Sequence, residues 1–469
     1  MSGLPDQAWH ELSRVSVSFD EPNLVSHAGL VPVAGLAQRL RVGERIDAAV
    51  TLAGSAGANS GAKALTVIGS VLAGGDCIDD VDLLRSGALP EIFDGVRAPS
   101  TVGTWLRALR WGHVRQLDTV ARALLVEAWQ AGAGPAPGAG VTVDLDSTIC
   151  EVYGLAKQGA ARGYTGVRGY HPLLASCAGD AAGGGATQLL HARLRGGNAG
   201  SGRGAGSFVT EVLTRLRDAL PPDASGRRGT VTLRADSGFY SREVIRACRR
   251  SNARFSLTAR MNPSVRRAIA AIPEQAWTPI PYWSSDGTFG LDEDGKPVSG
   301  ADVAETSYTA FAGTRDAVDV RLVVRRVRPT PGSQLAFDVA FSYHAFITDR
   351  DGELLDIEAD HRRHAVVEQV IADLKGGCGL AHLPSGRFAA NAGWLALISL
   401  AYNLGRWCAA LTSPGWRTIT TATLRTRLLA VPGRLVHTAR RLHLRLPRHW
   451  PWEADYQQLQ DAIARLALT

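Results

Sequence analysis

The sequence predicts an α/β protein of two or three domains, and three observations lead to this prediction. A chain of 469 residues is too long for one ordinary hydrophobic core. The stretch "AGAGPAPGAG" at 131–140 has the composition of a flexible linker. After this linker, several strand-like runs come first, and helical and strand patterns then alternate.

The segment before the linker, 1–130, is predicted to be a helical domain that binds DNA or mediates assembly. "AGLAQRLRVGERIDAAV" has helical spacing of Leu36, Leu40 and Ile46. "STVGTWLRALRWGHVRQLDTVARALLVEAW" begins with Ser100 as a candidate N-cap. The arginines of this helix suit DNA binding, and a solvated helix face explains them about equally well.

The order of elements after the linker is that of a ribonuclease-H-like core. Four runs predict strands: "VTVDLDST", "CEVYGLA", "HPLLASCAG" and "QLLHARLR". The helix "SFVTEVLTRLRDAL", the strand "GTVTLRADSGF", the helix "SREVIRACRRSNA" and the strand "RFSLTARMN" follow. We place this catalytic core at 141–261 and 346–410. Between its two parts, alternating patterns such as "VDVRLVVRRVRP" predict a β insertion domain at 262–345.

Composition and motifs exclude several classes of protein. The most apolar segment, "GWLALISLAYNLGRW", is shorter than the roughly 20 residues that a membrane span needs. The N-terminus shows no export signal, and the six cysteines form no CxxC pair. The Gly-rich loops lack a following GK[ST], which argues against a P-loop. We therefore expect a cytoplasmic protein without membrane contact.

The C-terminal region, 411–469, is predicted to be basic and helical. No Asp or Glu occurs between Asp373 and Glu453, and this interval contains ten arginines. Clustered arginine attracts polyanions, which indicates nucleic acid as a partner. The alternative is codon bias, because the chain has four lysines against 47 arginines. Codon bias explains the choice of arginine, but it does not explain the missing acids.

Acidic residues fall at three places of the predicted core. Asp144 and Asp146 share one face at the end of a strand, and Asp236 ends another strand. Glu368 lies in "DHRRHAVVEQVIADLKGG", a predicted helix. At about 100° per residue, His361, His364 and Lys375 lie within about 40° of Glu368 on that helix. We therefore expect one acid, two imidazoles and one ammonium to face a common site.

Carboxylates from two strand ends and a helix suit Mg²⁺, which prefers oxygen ligands and leaves positions open for phosphates. Two such ions about 4 Å apart would activate an attacking water or 3′-hydroxyl and stabilise the leaving oxygen. For any single acid, a capping or salt-bridging role is the simpler interpretation. His361 and His364 could instead bind a transition metal, although an HExxH pattern and supporting cysteines are absent.

Several motifs together resemble bacterial insertion-sequence DDE transposases, specifically the insertion-sequence thirteen-eighty family of the IS-four-like group. These motifs are "DLDST", "KQGAARGYTGVRGYHPLLA", "LRGGNAGSGRGA", "LRADSGFYS", "VEQVIADLKGG" and "LPSGRFAANAGWLALISLAYNL", in family order. The resemblance implies a DDE triad of catalytic, metal-binding residues: Asp146, Asp236 and Glu368. The group's Tyr-x2-Arg-x3-Glu-x6-Lys signature matches at Glu368 and Lys375, whereas His361 and His364 replace Tyr and Arg.

Other candidate DNA contacts are less specific. Arg168 lies in "VRGYH", and Arg195, Asn198 and Arg203 lie in a Gly-rich loop whose amides can approach phosphate. Local turn or loop roles explain these residues equally well. Trp277 and Trp283 are candidates for stacking on a flipped base, although packing is the simpler role for both. The basic tail adds Arg440 and Arg441.

The resemblance implies a transposase that binds terminal inverted repeats and, as a homodimer, cleaves and joins them to target DNA. It would use two Mg²⁺ ions, which Mn²⁺ could replace, and would associate with the nucleoid when bound to DNA. Two alternatives are a ribonuclease-H-like nuclease without strand transfer and a domesticated DNA-binding protein with a vestigial site.

Overall fold

The described part of the chain contains strands that are distributed over its whole length. The computed structural model describes residues 12–163, 165–179, 187–281, 300–327, 341–439 and 441–466. In chain order, its strands are β1 Leu24–Val25, β2 Val141–Ser147, β3 Cys150–Glu151, β4 Ala161–Arg162, β5 Arg168–Tyr170, β6 Leu173–Gly179, β7 Gln188–Arg193, β8 Val231–Ala235, β9 Arg254–Thr258, β10 Thr278–Pro279, β11 Ala301–Ala310, β12 Val318–Val327, β13 Ser342–Thr348, β14 Gly433–Thr438 and β15 Arg441–Arg445.

The α-helices lie mainly before β2 and after β13. They are α1 Leu30–Arg39, α2 Val42–Ala49, α3 Ser60–Ala73, α4 Leu89–Ile92, α5 Pro99–Ala108, α6 Trp111–Ala128, α7 Ala205–Ala219, α8 Arg242–Arg250, α9 Pro263–Ala270, α10 Leu354–Arg362, α11 Val366–Gly377, α12 Phe388–Thr412, α13 Thr421–Leu424 and α14 Glu453–Arg465. The predicted cap at Ser100 is wrong, because α5 begins one residue earlier, with Pro99 after Ala98.

A nine-stranded mixed sheet positions the site. Its order is β10-β11-β12-β13-β9-β8-β2-β6-β7. Strands β2, β8 and β9 run parallel, whereas β6 and β7 continue antiparallel from β2. Strand β13 pairs antiparallel with β9. The described strands of the predicted insertion are therefore added at one edge of this sheet, and they do not form a separate sheet.

Helix α12 forms the buried axis of the helical part of the molecule. It packs against α3, α5 and α6, which precede it in the chain, and against α14, which follows it. The indole N–H groups of Trp407 in α12 and Trp129 after α6 both donate to the side-chain oxygen of Gln188 in β7, each at 2.7 Å. The side-chain amide of Gln188 donates to the carbonyl of Ala133 at 2.7 Å. The start of the predicted linker is thus held against the core.

The C-terminal region is not entirely helical, which corrects the prediction for 411–469. Strands β14 and β15 form an antiparallel hairpin, and β1 pairs with β14. In "RLHLR" apolar residues alternate with period two, and the β-branched Val436 and Thr438 of "GRLVHT" also favour a strand. Helix α14 follows the hairpin. Among the helices in the described ranges, none combines the length and the apolar character needed to cross a membrane.

Candidate active site

Two of the predicted acids lie side by side at one edge of the sheet. Strands β2 and β8 are parallel, and Leu145 is paired with Ala235. Asp146, the next residue of β2, and Asp236, the first residue after β8, therefore lie at the carboxyl ends of neighbouring strands. Each carboxylate accepts a local main-chain N–H: Asp146 from Ser147 at 2.6 Å, and Asp236 from Gly238 at 2.9 Å.

Helix α11 brings the third acid to the same edge. Its buried face, which includes Val367, Val370 and Leu374, packs inward, and the helix contacts β2. Glu368, in the first turn of α11, is exposed on the opposite side. Burial raises the pKa of Asp146 to about 6, and the charges of Asp236 and Glu368 act in the same direction, against the Ser147 amide and His364. Asp236 and Glu368 are therefore both near enough to Asp146 for their charges to act on it.

The donor set fits divalent cations such as Mg²⁺. All three side chains offer hard oxygen ligands, and a cation between them would offset the charges of Asp236 and Glu368, which add to the effect of burial on Asp146. The three carboxylates do not form a tight cage: among the described residues, the groups whose ligand atoms lie within 4.8 Å of one another are Asp76–Cys77–Asp80 and Asp118–His191–Glu211. The open arrangement leaves coordination positions for substrate oxygens.

The second of those groups serves as a salt-bridge network. His191 in β7 lies between Asp118 of α6, at 3.2 Å, and Glu211 of α7, at 2.9 Å. Arg193 contacts Glu211 at 2.8 Å, and Arg215 pairs with Asp118. Because arginines already neutralise both carboxylates, this group joins α6 to the sheet and has little charge left for a cation.

Asp144 is fully engaged beneath the site. Both of its oxygens accept from Arg234, at 2.8 Å each, and one also accepts from Nδ1 of His364 at 2.8 Å. Although burial acts to raise it, these hydrogen bonds hold the pKa of Asp144 below its ordinary value. Arg234 also contacts Asp360 at 3.1 Å. Asp144 thus supports the site and has no free oxygen pointing toward a substrate.

Arg234 was not among the residues predicted from the sequence, although a signal was present. Arg234 precedes Asp236 by two residues, so the two share one face of β8. In the parallel pair, Arg234 is registered opposite Asp144. In "VDLD" and "LRAD", alternate residues lie on the same face of each strand. Once the two strands are known to pair in parallel, Arg234 lies beside Asp144, and the ion pair follows.

The predicted common stripe of His361, His364, Glu368 and Lys375 on one helix is wrong. The chain forms α10, then a 3-10 turn at Arg363–Ala365, and then α11. The four residues are therefore distributed over three elements. A helical wheel assumes one continuous axis, which this turn interrupts.

His361 is turned away from the carboxylates. Its ring stacks on Phe346 with centroids 3.9 Å apart, and its nitrogens contact the hydroxyls of Ser256 at 2.7 Å and Thr258 at 3.2 Å. Burial lowers the pKa of His361 to about 3, with the charges of His364 and Arg234 adding to the effect. A neutral imidazole that is held in this way is not available to DNA, so the predicted contact at His361 is wrong.

His364 and Lys375 remain next to the site. His364 uses Nδ1 for Asp144, and its side chain is 16% exposed. The ammonium of Lys375 donates to the carbonyl of Ile149 at 3.0 Å, just beyond the end of β2. The Lys375 ammonium therefore lies at the end of β2 that carries Asp146, and His364 lies beside Asp144 of the same strand.

The loop arginines divide into buried and exposed groups. Arg195 is buried, and its guanidinium donates to main-chain carbonyls that include His171, Gly200 and Ser201. The predicted DNA contact at Arg195 is therefore wrong, because the side chain organises the loop. Asn198 and Arg203 in the same loop are exposed.

Three further predicted contacts can be placed on the structure, and two cannot. Arg168 is half-buried and donates to the carbonyls of Gly154 and Leu155 at 3.3 and 2.8 Å. Arg441 is exposed on β15. Trp277 packs under the guanidinium of Arg326, with 4.4 Å to the ring centroid, which agrees with the packing alternative. Trp283 and Arg440 lie outside the described residues.

The site thus combines a large mixed sheet with acids at the ends of two neighbouring parallel strands, β2 and β8. The chain belongs to the family described as transposase DDE domain group 1, whose model matches residues 8–468. This membership identifies a DDE transposase of an IS-four-like group. A search of curated proteins finds no match.

Proposed function

We propose that this protein is a cut-and-paste transposase of the thirteen-eighty family, which binds the terminal inverted repeats of its element and joins the freed ends to target DNA. The observation that carries the proposal is the position of Asp146 and Asp236 at the ends of neighbouring parallel strands, with Glu368 near enough for its charge to act on Asp146. Carboxylates in such an arrangement are suited to binding cations.

The strand order supports a ribonuclease-H-like assignment of the core. In the run β7-β6-β2-β8-β9, three antiparallel strands are followed by two that are parallel to the central β2. This is the arrangement expected of a core in which antiparallel strands come first and helices and strands then alternate. Helix α11 then supplies the third acid at the carboxyl end of β2.

Asp146, Asp236 and Glu368 would hold the divalent cations, which we propose to be two Mg²⁺ ions or, alternatively, Mn²⁺. When bound, these cations would supply charge stabilisation for the attacking and leaving oxygens of a phosphodiester. The chain itself positions the site: the ion pair of Asp144 with Arg234 joins β2 to β8, and the Lys375 ammonium lies at the end of β2. His364, oriented by Asp144, faces the same region.

Single substitutions at the three acids test the proposal. We expect Asp146→Ala, Asp236→Ala and Glu368→Ala each to retain binding of end DNA and to lose Mg²⁺-dependent cleavage. The DNA is a duplex that carries the inverted repeat that flanks the gene. The matched control is Asp351→Ala, which removes a carboxylate that is 93% exposed. Normal cleavage by one of the three variants would remove that residue from the triad.

Two further measurements separate the alternatives. A nuclease without strand transfer would cleave end DNA but fail to join a pre-cleaved 3′ end to target DNA. A vestigial protein would bind DNA without cleaving it under any divalent cation. Asp144→Asn tests the ranking of the two neighbouring aspartates: we expect it to retain cleavage where Asp146→Asn does not, since the Asp144 oxygens are bound to Arg234 and His364.

A further inference from the structure

The hairpin β14–β15 presents a basic face to solvent. Residues that lie directly opposite each other in an antiparallel pair share a face. The pairs Arg434 with Arg445, Val436 with His443 and Thr438 with Arg441 therefore project to the same side. The three arginines and the histidine of this set are all exposed. We call this set of six residues the hairpin face.

The other side of the hairpin is directed to the core. Leu435, which is 2% exposed, is paired with Leu444, and Leu444 packs against the buried core. The hairpin cannot turn its basic face inward without exposing these leucines, which would cost about 1.5–3 kcal/mol for each fully buried side chain. Packing thus fixes the direction in which the arginines point.

The cations of the hairpin face have few acidic partners. Across the described ranges, Arg441 and Arg445 form no ion pair, and the one formed by Arg434 is with Glu21 at 3.5 Å. Some exposed arginines elsewhere have a close acidic partner, as Arg85 has in Asp82 at 2.6 Å, and others, such as Arg249, have none among the described residues. The hairpin differs in that its pairing places several exposed cations on one face. An unneutralised row of cations on a rigid strand is a site for a polyanion.

Other arginines of the acid-free segment have an internal role. Arg425 donates to the carbonyls of Val71 and Leu72 at the end of α3 and to that of Gly377 at the end of α11. Arg406 is buried and donates to main-chain carbonyls, among them that of Thr187 at 3.2 Å. Because carbonyls already satisfy these guanidinium groups, the arginines that are free for a ligand are concentrated on the hairpin and the turn that follows it.

That turn carries a further cation and aromatic rings. Arg448 is exposed, and Trp450 and Trp452 pack edge to face with centroids 5.6 Å apart. The guanidinium of exposed Arg427 lies 5.3 Å from the ring centroid of Trp452. Both tryptophans keep part of their surface accessible. The combination of arginines with accessible rings is suited to nucleic acid more than to a simple anion.

The spacing on β15 also suits a DNA strand. Alternate residues of a strand are about 7 Å apart, so Arg441, His443 and Arg445 span about 14 Å. One DNA strand carries a phosphate per about 3.4 Å of helix axis, so this length covers about four phosphates. From the exposure, the missing acidic partners and this spacing, we propose that the hairpin face binds the phosphate backbone of double-stranded DNA without reading its sequence. The inference rests on the proposed function, in which DNA is the substrate.

The test is the salt dependence of DNA binding by the full chain. Affinity for a duplex of about 30 base pairs is measured by fluorescence anisotropy in EDTA, at several salt concentrations, for the wild type and for Arg441→Ser/Arg445→Ser. Each lost phosphate contact reduces the slope of log K against log salt by about 0.9, so we expect a reduction of about 1.8. The loss of affinity between 50 and 200 mM salt would then be about tenfold smaller than for the wild type.

Two variants serve as controls. Arg85→Ser/Arg217→Ser removes the same charge from arginines that lie near Asp82 and Asp218, and we expect an unchanged slope. Arg441→Lys/Arg445→Lys retains the charge and should retain the slope. If the serine variant keeps the wild-type slope and affinity, the hairpin inference fails while the proposed function stands. If the wild type binds no duplex, the proposed function fails as well.

Discussion

Replacing Asp146 by asparagine should stabilise the metal-free protein above pH 6. Burial raises the pKa of Asp146 to about 6 from an ordinary value of 3.8, with the charges of Asp236 and Glu368 adding to burial. A shift of one pKa unit corresponds to about 1.4 kcal/mol, so the ionised carboxylate destabilises the fold by up to about 3 kcal/mol. Partial exposure of Asp146 lowers the expected gain to about 1–3 kcal/mol.

The pH dependence follows from the direction of the shift. Below pH 3.8 the carboxyl is neutral in both the folded and the unfolded chain, and it makes no difference to stability. Between 3.8 and about 6 the unfolded chain releases the proton first, so the free energy of unfolding falls as pH rises. Above about 6 the loss is complete. Asparagine has no such loss, and its amide oxygen can still accept the Ser147 N–H.

Urea unfolding in EDTA at pH 5 and pH 8 measures the effect. We expect the stability difference between Asp146→Asn and the wild type to be larger at pH 8 than at pH 5. Asp351→Asn, at a position that is 93% exposed, is the control and should show no such difference. Addition of Mg²⁺ should stabilise the wild type and narrow the gap. An equal gain at both pH values, or no gain at pH 8, would refute the reasoning.

Two further predictions concern groups outside the carboxylates. Gln188→Leu leaves the buried indole N–H groups of Trp129 and Trp407 without their acceptor, so we expect a loss of about 2–5 kcal/mol in urea unfolding, and a loss below 1 kcal/mol would contradict this. His361, with its pKa lowered to about 3 by burial, stays neutral while the unfolded chain gains a proton below pH 6.5. As pH falls from 6 to 4.5, this group should therefore lower the free energy of unfolding of the wild type by about 1.4 kcal/mol per pH unit. The free energy of unfolding of His361→Asn should depend less steeply on pH. Equal slopes for the two proteins would argue against a buried neutral imidazole.

The part of the site that local patterns could predict is the pair of strand ends. "VTVDLDST" predicted a strand with two aspartates on one face, and β2 runs Val141–Ser147. "GTVTLRADSGF" predicted the strand that ends before Asp236, and β8 runs Val231–Ala235. Period-two alternation is a property of neighbouring residues, so it can be recognised without knowing which strands pair.

Features that depend on distant contacts could not be predicted in the same way. The helical wheel assumed one straight helix through His361 and Glu368, whereas the chain turns at Arg363–Ala365 and the His361 ring packs between Phe346 and two hydroxyls of β9. No residue between 360 and 368 is a proline or glycine. The bend therefore follows from tertiary packing, which outweighs helix propensity in a segment of this length.

The arginine excess shows why a charge count alone cannot locate a DNA interface. In the segment without acids, Arg425 and Arg406 bind helix-end and loop carbonyls, whereas Arg441 and Arg445 face solvent without a partner in the described part of the chain. A carbonyl satisfies a guanidinium group as an acidic side chain would, so acids can be absent for a structural reason. Only the hairpin register, which directs Leu435 inward and the arginines outward, distinguishes the two uses. The salt slope of DNA binding should therefore depend on Arg441 and Arg445, while substitution of Arg425 should act on the fold.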